Sequence, residues 1–385
     1  MKARIFAAVL ASLMMLSALA LVPVRADKSG DFEYKIIGGG ATITKYTGSA
    51  SKLTIPDTLG GKPVKELGEW SFSMSETLTS VTIPKSVTVI ANSAFFECSK
   101  LTRITIPAGV KTIGANAFWN CSSLTGIDVD SKNKEYKSID GVLYDYDLTK
   151  LIVCPAGTKL TSIKVPDGVT EIDYSAFYFC ISLKSVTIPD SVTKIGEFAF
   201  AYCLALESVK LPAGIKALAS CSFSPCPKLT SIDIPAGVTE IGESAFAGCE
   251  SLKSVTIPYT VKTVGAGAFS SCPSLNEVHY SGSESDWNRI NISDQGNDDL
   301  KSAKVIYNQK EVTETATDSE TDRHVDTTAH NTRSKDTDSD KGRTADDDFD
   351  HSLRTIFFVL TALAVAIFAA IIVLTVVIAK KKKNN

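Results

Sequence analysis

Apolar side chains return along most of this chain in one short pattern: a leucine, two unrestricted positions, then β-branched residues on either side of a polar one. The unit is complete in CSKLTRITIPAGVKTIGANAFWN, from Cys98 to Asn120, and recurs as CISLKSVTIPDSVTKIGEFAFAY from Cys180 and CESLKSVTIPYTVKTVGAGAFSS from Cys249. Weaker copies run from Ser75 to Glu97 and from Cys203 to Pro225. Every step is 23 residues from Cys98 to Cys121, and again through Cys180, Cys203, Cys226, Cys249 and Cys272. A fixed period of this length predicts a repeat solenoid, in which no unit buries its apolar face alone and stacked units share one core.

Within each unit the period of two predicts a short strand, with Ile104 and Ile106 pointing inward and Thr105 outward. Proline ends the strand because it cannot donate to a ladder. Gly114, Gly196 and Gly242 are expected to permit a tight corner, and the Ala-Phe pair to fill the returning half-coil. The leading leucines Leu78, Leu101, Leu124, Leu160, Leu183, Leu206, Leu229, Leu252 and Leu275 mark about nine coils.

The frame slips once. Leu124 and Leu160 stand 36 residues apart, so one coil carries an insertion of 13. Residues 136–155 read as a β-hairpin, with Val142-Leu143-Tyr144 and Leu151-Ile152-Val153 as its strands and a turn near Asp147 to Lys150. A hairpin projecting from a regular coil is a place for specificity, with a purely structural role as the equal alternative.

The solenoid is expected over residues 75–274, between an N-terminal β cap at 27–74 and a C-terminal cap at 275–308; caps keep the core edge from exposure. Residues 1–26 have a basic start, an apolar run and the small-x-small site Val24-Arg25-Ala26, the pattern of a cleaved signal peptide. Residues 309–353 form a Ser/Thr/Asp-rich stalk that cannot bury enough surface to offset ordering entropy. The segment 354–379, whose uncharged apolar part Thr355 to Ala379 is about 37 Å long as a helix at ~1.5 Å per residue, is expected to span a membrane once. The lysine tail 380–385 then stays on the cytoplasmic side, which places the repeats outside.

The period, the Ile-Pro and Ile-Gly-x-x-Ala-Phe-x-x-Cys elements and the caps together resemble the BspA-like (Treponema-type) leucine-rich repeats of bacterial surface proteins, and of some protist ones, over about Phe32 to Asn308. The resemblance extends to the C-terminal cap in HYSGSESDWNRINI, from His279 to Ile292. It implies a parallel sheet on the concave side and an extracellular binding or adhesion role, and interruption by a hairpin is common in that family.

Composition adds mostly exclusions. A formal net charge of −3 gives no basic patch for nucleic acid. Of four histidines, His324, His330 and His351 lie in the stalk and only His279 in the repeats. No zinc-ligand spacing, nucleophile elbow or Walker loop occurs, so neither catalysis nor a cofactor or metal is expected. Asp336, Asp338 and Asp340 imitate a calcium loop, but Lys341 stands where glycine should.

Seven of the nine cysteines share one repeat slot, which Ser75 fills in the first coil, and are expected to be free, buried thiols. Cys154 and Cys221 fall off that ladder and stay undecided.

The outward strand positions are Thr82, Thr105, Asp128, Lys164, Thr187, Lys210, Asp233, Thr256 and His279, a row without aromatic anchors. Aromatics collect instead before the cysteine slot: Phe96, Trp119, Tyr178, Phe179 and Tyr202. With Tyr144 and Tyr146 of the hairpin they are the candidate ligand-binding residues, set against the plainer reading that they pack the turn. The expected function is surface adhesion or recognition of a protein or glycan, with a passive envelope spacer as the alternative.

Overall fold

A computed structural model describes residues 26–308. The stalk, the expected membrane span and the lysine tail lie outside the described residues, as does the expected signal peptide apart from Ala26. Among the described residues no helix is long and apolar enough to cross a membrane.

The repeats form a β-solenoid. One face carries eleven strands in three hydrogen-bonded runs, Lys52–Thr54 to Gly126–Val129, Ser162–Lys164 to Ser208–Lys210, and Ser231–Asp233 to Lys304–Tyr307. Pairing is parallel and set by the period: Ile127 lies beside Ile104, Val209 beside Val186 and Val278 beside Val255. Arg103–Ile106 alternates exposed and buried, as its period of two requires. A second line of two-residue strands, including Thr112–Ile113, Glu171–Ile172 and Glu240–Ile241, runs along the returning half of each coil. The eleven face strands exceed the nine coils expected because each cap adds one, Lys52–Thr54 before the first leucine and Lys304–Tyr307 after the last.

Between the two strand lines the core is a set of columns. Phe72, Phe95 and Phe118 stack at centroid distances of 5.1 and 5.8 Å. Phe177, Phe200, Phe223, Phe246 and Phe269 continue the column at 4.8, 5.0, 5.5 and 5.2 Å. Each ring is locked by the coil spacing, since backbone N–H groups of one turn donate to carbonyls of the next: Phe95 N to Ala117 O at 2.8 Å, Phe177 N to Ala199 O at 2.7 Å.

The corner is built differently from the expectation placed on glycine. Gly114, Gly196 and Gly242 are absent from the positive-φ positions. They are needed for close approach: a Cβ on Gly114 would lie 2.4 Å from the backbone nitrogen of Asn92 in the preceding coil. The left-handed corners fall on other residues, Ser93, Asn116, Ser175, Phe198, Cys221 and Ser244 in one column and Glu97, Asn120, Phe179 and Tyr202 in another, with φ between 53° and 60°. Such residues cost on the order of 1–2 kcal/mol each, which the coil-to-coil hydrogen bonds on both sides must offset.

All nine cysteines are free. In the ladder the thiol also donates: Cys121 Sγ to Phe95 O at 3.1 Å, Cys203 to Phe177 O and Cys226 to Phe200 O at 3.2 Å. The slot therefore suits a small side chain with a weak donor better than a purely apolar one. Burial pushes the thiol of Cys272 up to about 12 and that of Cys221 up to about 11.

The insertion does not project from the coil. Tyr136–Ile139, Val142–Asp145 and Lys150–Val153 form an antiparallel meander whose last strand pairs in parallel with Glu171–Ile172. Val142, Leu143 and Tyr144 are all buried. Leu143 joins the N-terminal hydrophobic cluster, while Val142 and Tyr144 join the C-terminal one. The strand is thus a partition inside the solenoid, and both its faces are apolar because each meets a different core.

Buried Asn133 ties this partition to the preceding coil. Its Nδ2 donates to Pro107 O and Val110 O at 2.8 and 3.0 Å, and its Oδ1 accepts from the backbone of Glu135 and Tyr136 at 2.8 and 2.9 Å. Asn297 repeats the device in the C-terminal cap, donating to Gly265 O and Ser293 O and accepting from Phe269 N. The cap holds two short helices, Glu284–Trp287, closed by the Ser283–Asp286 capping box, and Asp298–Ser302. At the other end Gly40–Tyr46 pairs antiparallel with Phe32–Ile37 and parallel with Lys62–Leu67, turning a hairpin into the first rung.

Gly114→Ala is expected to lower stability by about 2 kcal/mol, from overpacking against the Asn92 backbone, and Asn133→Ala by about 2–4 kcal/mol, from unpaired buried groups. Denaturant unfolding compares both with wild type. An uncharged maleimide is expected to label the native chain at Cys221 at most and the denatured chain at all nine cysteines; intact mass reads the two counts, and a shortfall in the denatured one would reveal a disulfide.

Candidate functional site

The coil that carries the insertion lacks one part that the coils on either side of it have. Cys154 N donates to Ala176 O at 2.7 Å, the register in which Phe177 N meets Ala199 O one coil later. Cys154 therefore stands in the phenylalanine column, not beside the cysteine one. Its carbonyl accepts from Cys180 Sγ at 3.6 Å, as a phenylalanine carbonyl does for the other ladder thiols. From there the chain goes directly through Pro155 and Ala156 to Gly157, whose N–H donates to Leu124 O at 2.9 Å. A bulky ring and an outward turn are both missing.

What remains is a cavity of about 300 Å³. The segment from Ile113 to Asn120 forms one wall, Ile152, Cys154 and Ala156 line the shortened coil, and Asp173 to Tyr178 lie beyond. The stack of buried phenylalanines is interrupted here, between Phe118 and Phe177. Trp119 reaches over the shortened turn to stack on Tyr178 at 4.6 Å.

The aromatic stripe is therefore real as geometry. Trp70, Phe96, Trp119, Tyr178 and Tyr202 follow one another at 4.9, 4.7, 4.6 and 5.5 Å, with Phe179 6.3 Å from both Tyr178 and Tyr202. Its availability differs from the expectation. Phe96 is 2% exposed and Trp119 7%, and each ring has a neighbour on both faces, so neither offers a free platform. Tyr178, Phe179 and Tyr202 are half-buried. Beside them Ile181 and Leu204 are 44% and 39% exposed, which makes the rim of the stripe apolar and accessible.

The hairpin tyrosines stand apart from the stripe. Tyr144 is 2% exposed and belongs to the core, and burial raises its hydroxyl far above the usual tyrosine range. It has no surface to present, because its strand is wedged between two cores. Tyr146 is half-buried, and its ring carries Lys137 Nζ at 4.1 Å and Lys134 Nζ at 5.6 Å. Cations already occupy that ring.

The cavity also has a polar side that sequence reasoning missed. Lys150 Nζ pairs with Asp173 at 2.9 Å and Glu171 at 3.5 Å, and Lys194 pairs with Glu171 at 2.9 Å. Burial alone would lower the Lys150 ammonium, but the two carboxylates outweigh it and raise it. Likewise burial would raise Glu171, and the two lysines hold it below the usual carboxylate range. Asn120 donates to Glu97 Oε1 at 3.4 Å, and the buried Ser175 Oγ meets no hydrogen-bond partner. A signal existed: after Ile152-Val153 the sequence has Cys154-Pro155-Ala156-Gly157 where Ala-Phe should complete the turn. Among the described residues no group of three or more His, Cys, Asp or Glu could hold a metal ion.

Residues 42–155 and 153–276 match the BspA type leucine rich repeat region, in six copies, and the chain belongs to that family. Among solved structures it is similar to a leucine-rich cell surface protein from Faecalibacterium prausnitzii, at 30% identity and TM-score 0.54, over 69% of this chain and 97% of that one. A leucine-rich repeat protein from Eubacterium ventriosum shares the fold at 22% identity and TM-score 0.54, over 66% of this chain and 83% of that one. No curated protein matches the sequence.

Trp119→Ala is expected to lower stability by about 3 kcal/mol or more, because it removes a ring packed on both faces, and Tyr146→Ala by about 1 kcal/mol or less. Urea unfolding of the two variants checks the contrast. At acid pH the Lys150–Glu171–Lys194 cluster is expected to weaken: a depressed carboxylate adds stability above its unfolded pKa of about 4.3, and that share is lost as pH falls through the lower folded value.

Proposed function

We propose that this chain is a membrane-anchored surface protein whose solenoid recognises an extracellular protein or glycan, without catalysing a reaction. The observation that carries the reading is the cavity at the insertion together with the apolar rim of Tyr178, Phe179, Ile181, Tyr202 and Leu204 beside it. Exposed apolar and aromatic residues gathered in one place are how interaction sites differ from ordinary surface. Family membership supports a binding role, and the leader-like start, the apolar segment near the C-terminus and the lysines after it support placement of the repeats outside the membrane. The similar protein from Faecalibacterium prausnitzii is described as a cell surface protein.

Glycan and protein arrays probed with the purified chain are expected to give saturable binding to at least one partner. The double variant Ile181→Ser, Tyr202→Ala is expected to weaken it at least tenfold while keeping the native circular dichroism. Saturable binding to nothing on either array would favour a passive spacer of the envelope. Protease added to intact cells is expected to remove the repeats and leave a C-terminal epitope tag protected; digestion of the tag instead would overturn the orientation.

A further inference from the structure

The solenoid is held by a ladder with a fixed register, and the ladder has a gap. In the intact coils two or three alternate N–H groups of the turn donate to the next coil. Ser93, Phe95 and Glu97 donate to the carbonyls of Ala115, Ala117 and Trp119 at 3.0, 2.8 and 2.9 Å. Ser175, Phe177 and Phe179 do the same with Glu197, Ala199 and Ala201 at 2.9, 2.7 and 3.0 Å. Asn116, Phe118 and Asn120 occupy the same three places in the coil before the insertion, and among the described residues their N–H groups meet no acceptor. Across the gap the carbonyl of Ala176 is taken by Cys154, while among the described residues that of Tyr178 meets no backbone donor.

Beside this gap Ile113 N is capped by a side chain, donating to the hydroxyl of Tyr136 at 2.9 Å. Cys154 occupies the phenylalanine slot with a far smaller side chain, so the cavity of about 300 Å³ coincides with a missing ring and a missing set of carbonyls. Unpaired backbone donors along a sheltered wall are uncommon in folded proteins, where nearly all such groups find partners.

We infer that the notch takes a short peptide segment of a partner protein, bound as the absent turn of a coil would be. Alternate carbonyls of the peptide accept from Asn116, Phe118 and Asn120, and an aromatic side chain enters between Phe118 and Cys154. This is ladder extension by an added chain, in which main-chain bonds give affinity and a side-chain pocket gives selectivity. The three donors lie at every second residue, the repeat with which a peptide presents carbonyls on one side. A sugar fits less well, because stacking needs an open ring face and both faces of Trp119 are covered by Phe96 and Tyr178.

The inference rests on the recognition reading above and names the partner class for one site of it. The chain's own repeat supplies a probe: IGESAFAG, residues 241–248, has the turn that the gap lacks. The peptide, acetylated and amidated, is titrated into the full chain in mild detergent while hydrogen exchange is followed by mass spectrometry. Saturable binding is expected, with exchange at residues 116–120 slowed at least tenfold. The Phe-to-Ala peptide IGESAAAG is expected to bind at least tenfold more weakly, and Ala156→Phe, which fills the notch, to abolish the protection.

Unchanged exchange at residues 116–120 in millimolar peptide would overturn the proposal, as would slowing by a panel of monosaccharides or binding indifferent to Ala156→Phe. The wild-type exchange result stands even where the variant fails to fold. A partner captured on the arrays whose affinity ignores Ala156→Phe would sink the notch and leave the recognition reading intact, whereas peptide protection with no array partner would do the reverse.

Discussion

Everything in the repeats follows from the distance at which one coil lies on the next. Backbone N–H groups must meet carbonyls of the neighbouring coil on the strand faces and along the outer turn, which fixes the spacing at about 4.8 Å. At that separation a Cβ at Gly114 has no room, rings in the phenylalanine column stack face to face, and a thiol sits within reach of a carbonyl one coil back. The left-handed corners are a second consequence: the turn must bring its donors into line every coil, and outside Gly248 and Gly267 it does so largely with serine, asparagine and phenylalanine where glycine would be easier.

The same constraint makes the insertion costly to accommodate, since a ladder cannot stretch. The chain solves this by placing Val142–Asp145 inside the stack, using Asn133 to satisfy the carbonyls of Pro107 and Val110, and closing the far side through Gly157 and Leu124. Only the outer turn is left without a substitute. The cavity, the Trp119–Tyr178 bridge and the unmet donors are three views of that single omission.

Much of this was legible in the residues. Strand positions, the proline stops and the buried leucines depend on local periodicity, and the structure places them as expected; the thiols were readable from their shared slot. The corners were not, because φ is set by the register of neighbouring coils and leaves no mark on a serine or a tyrosine. The hairpin was found but set outside the fold, although three consecutive apolar residues, Val142-Leu143-Tyr144, are the pattern of a strand covered on both faces. The aromatic stripe was found as well, but sequence cannot tell a ring stacked on both sides from one that is open. Most of the cavity lining escaped notice because it is defined by what the insertion coil omits.

The partition strand also divides the molecule energetically. Leu143 faces one hydrophobic cluster, and Val142 and Tyr144 face the other, so the solenoid holds two cores that share a single wall. Nearest-neighbour coupling, which lets a regular repeat array melt as one block, is weakest at such a wall. Two cooperative segments in series are the expected consequence, such that a pull or a thermal fluctuation reaching residues 112–157 loosens one segment while the other keeps its shape.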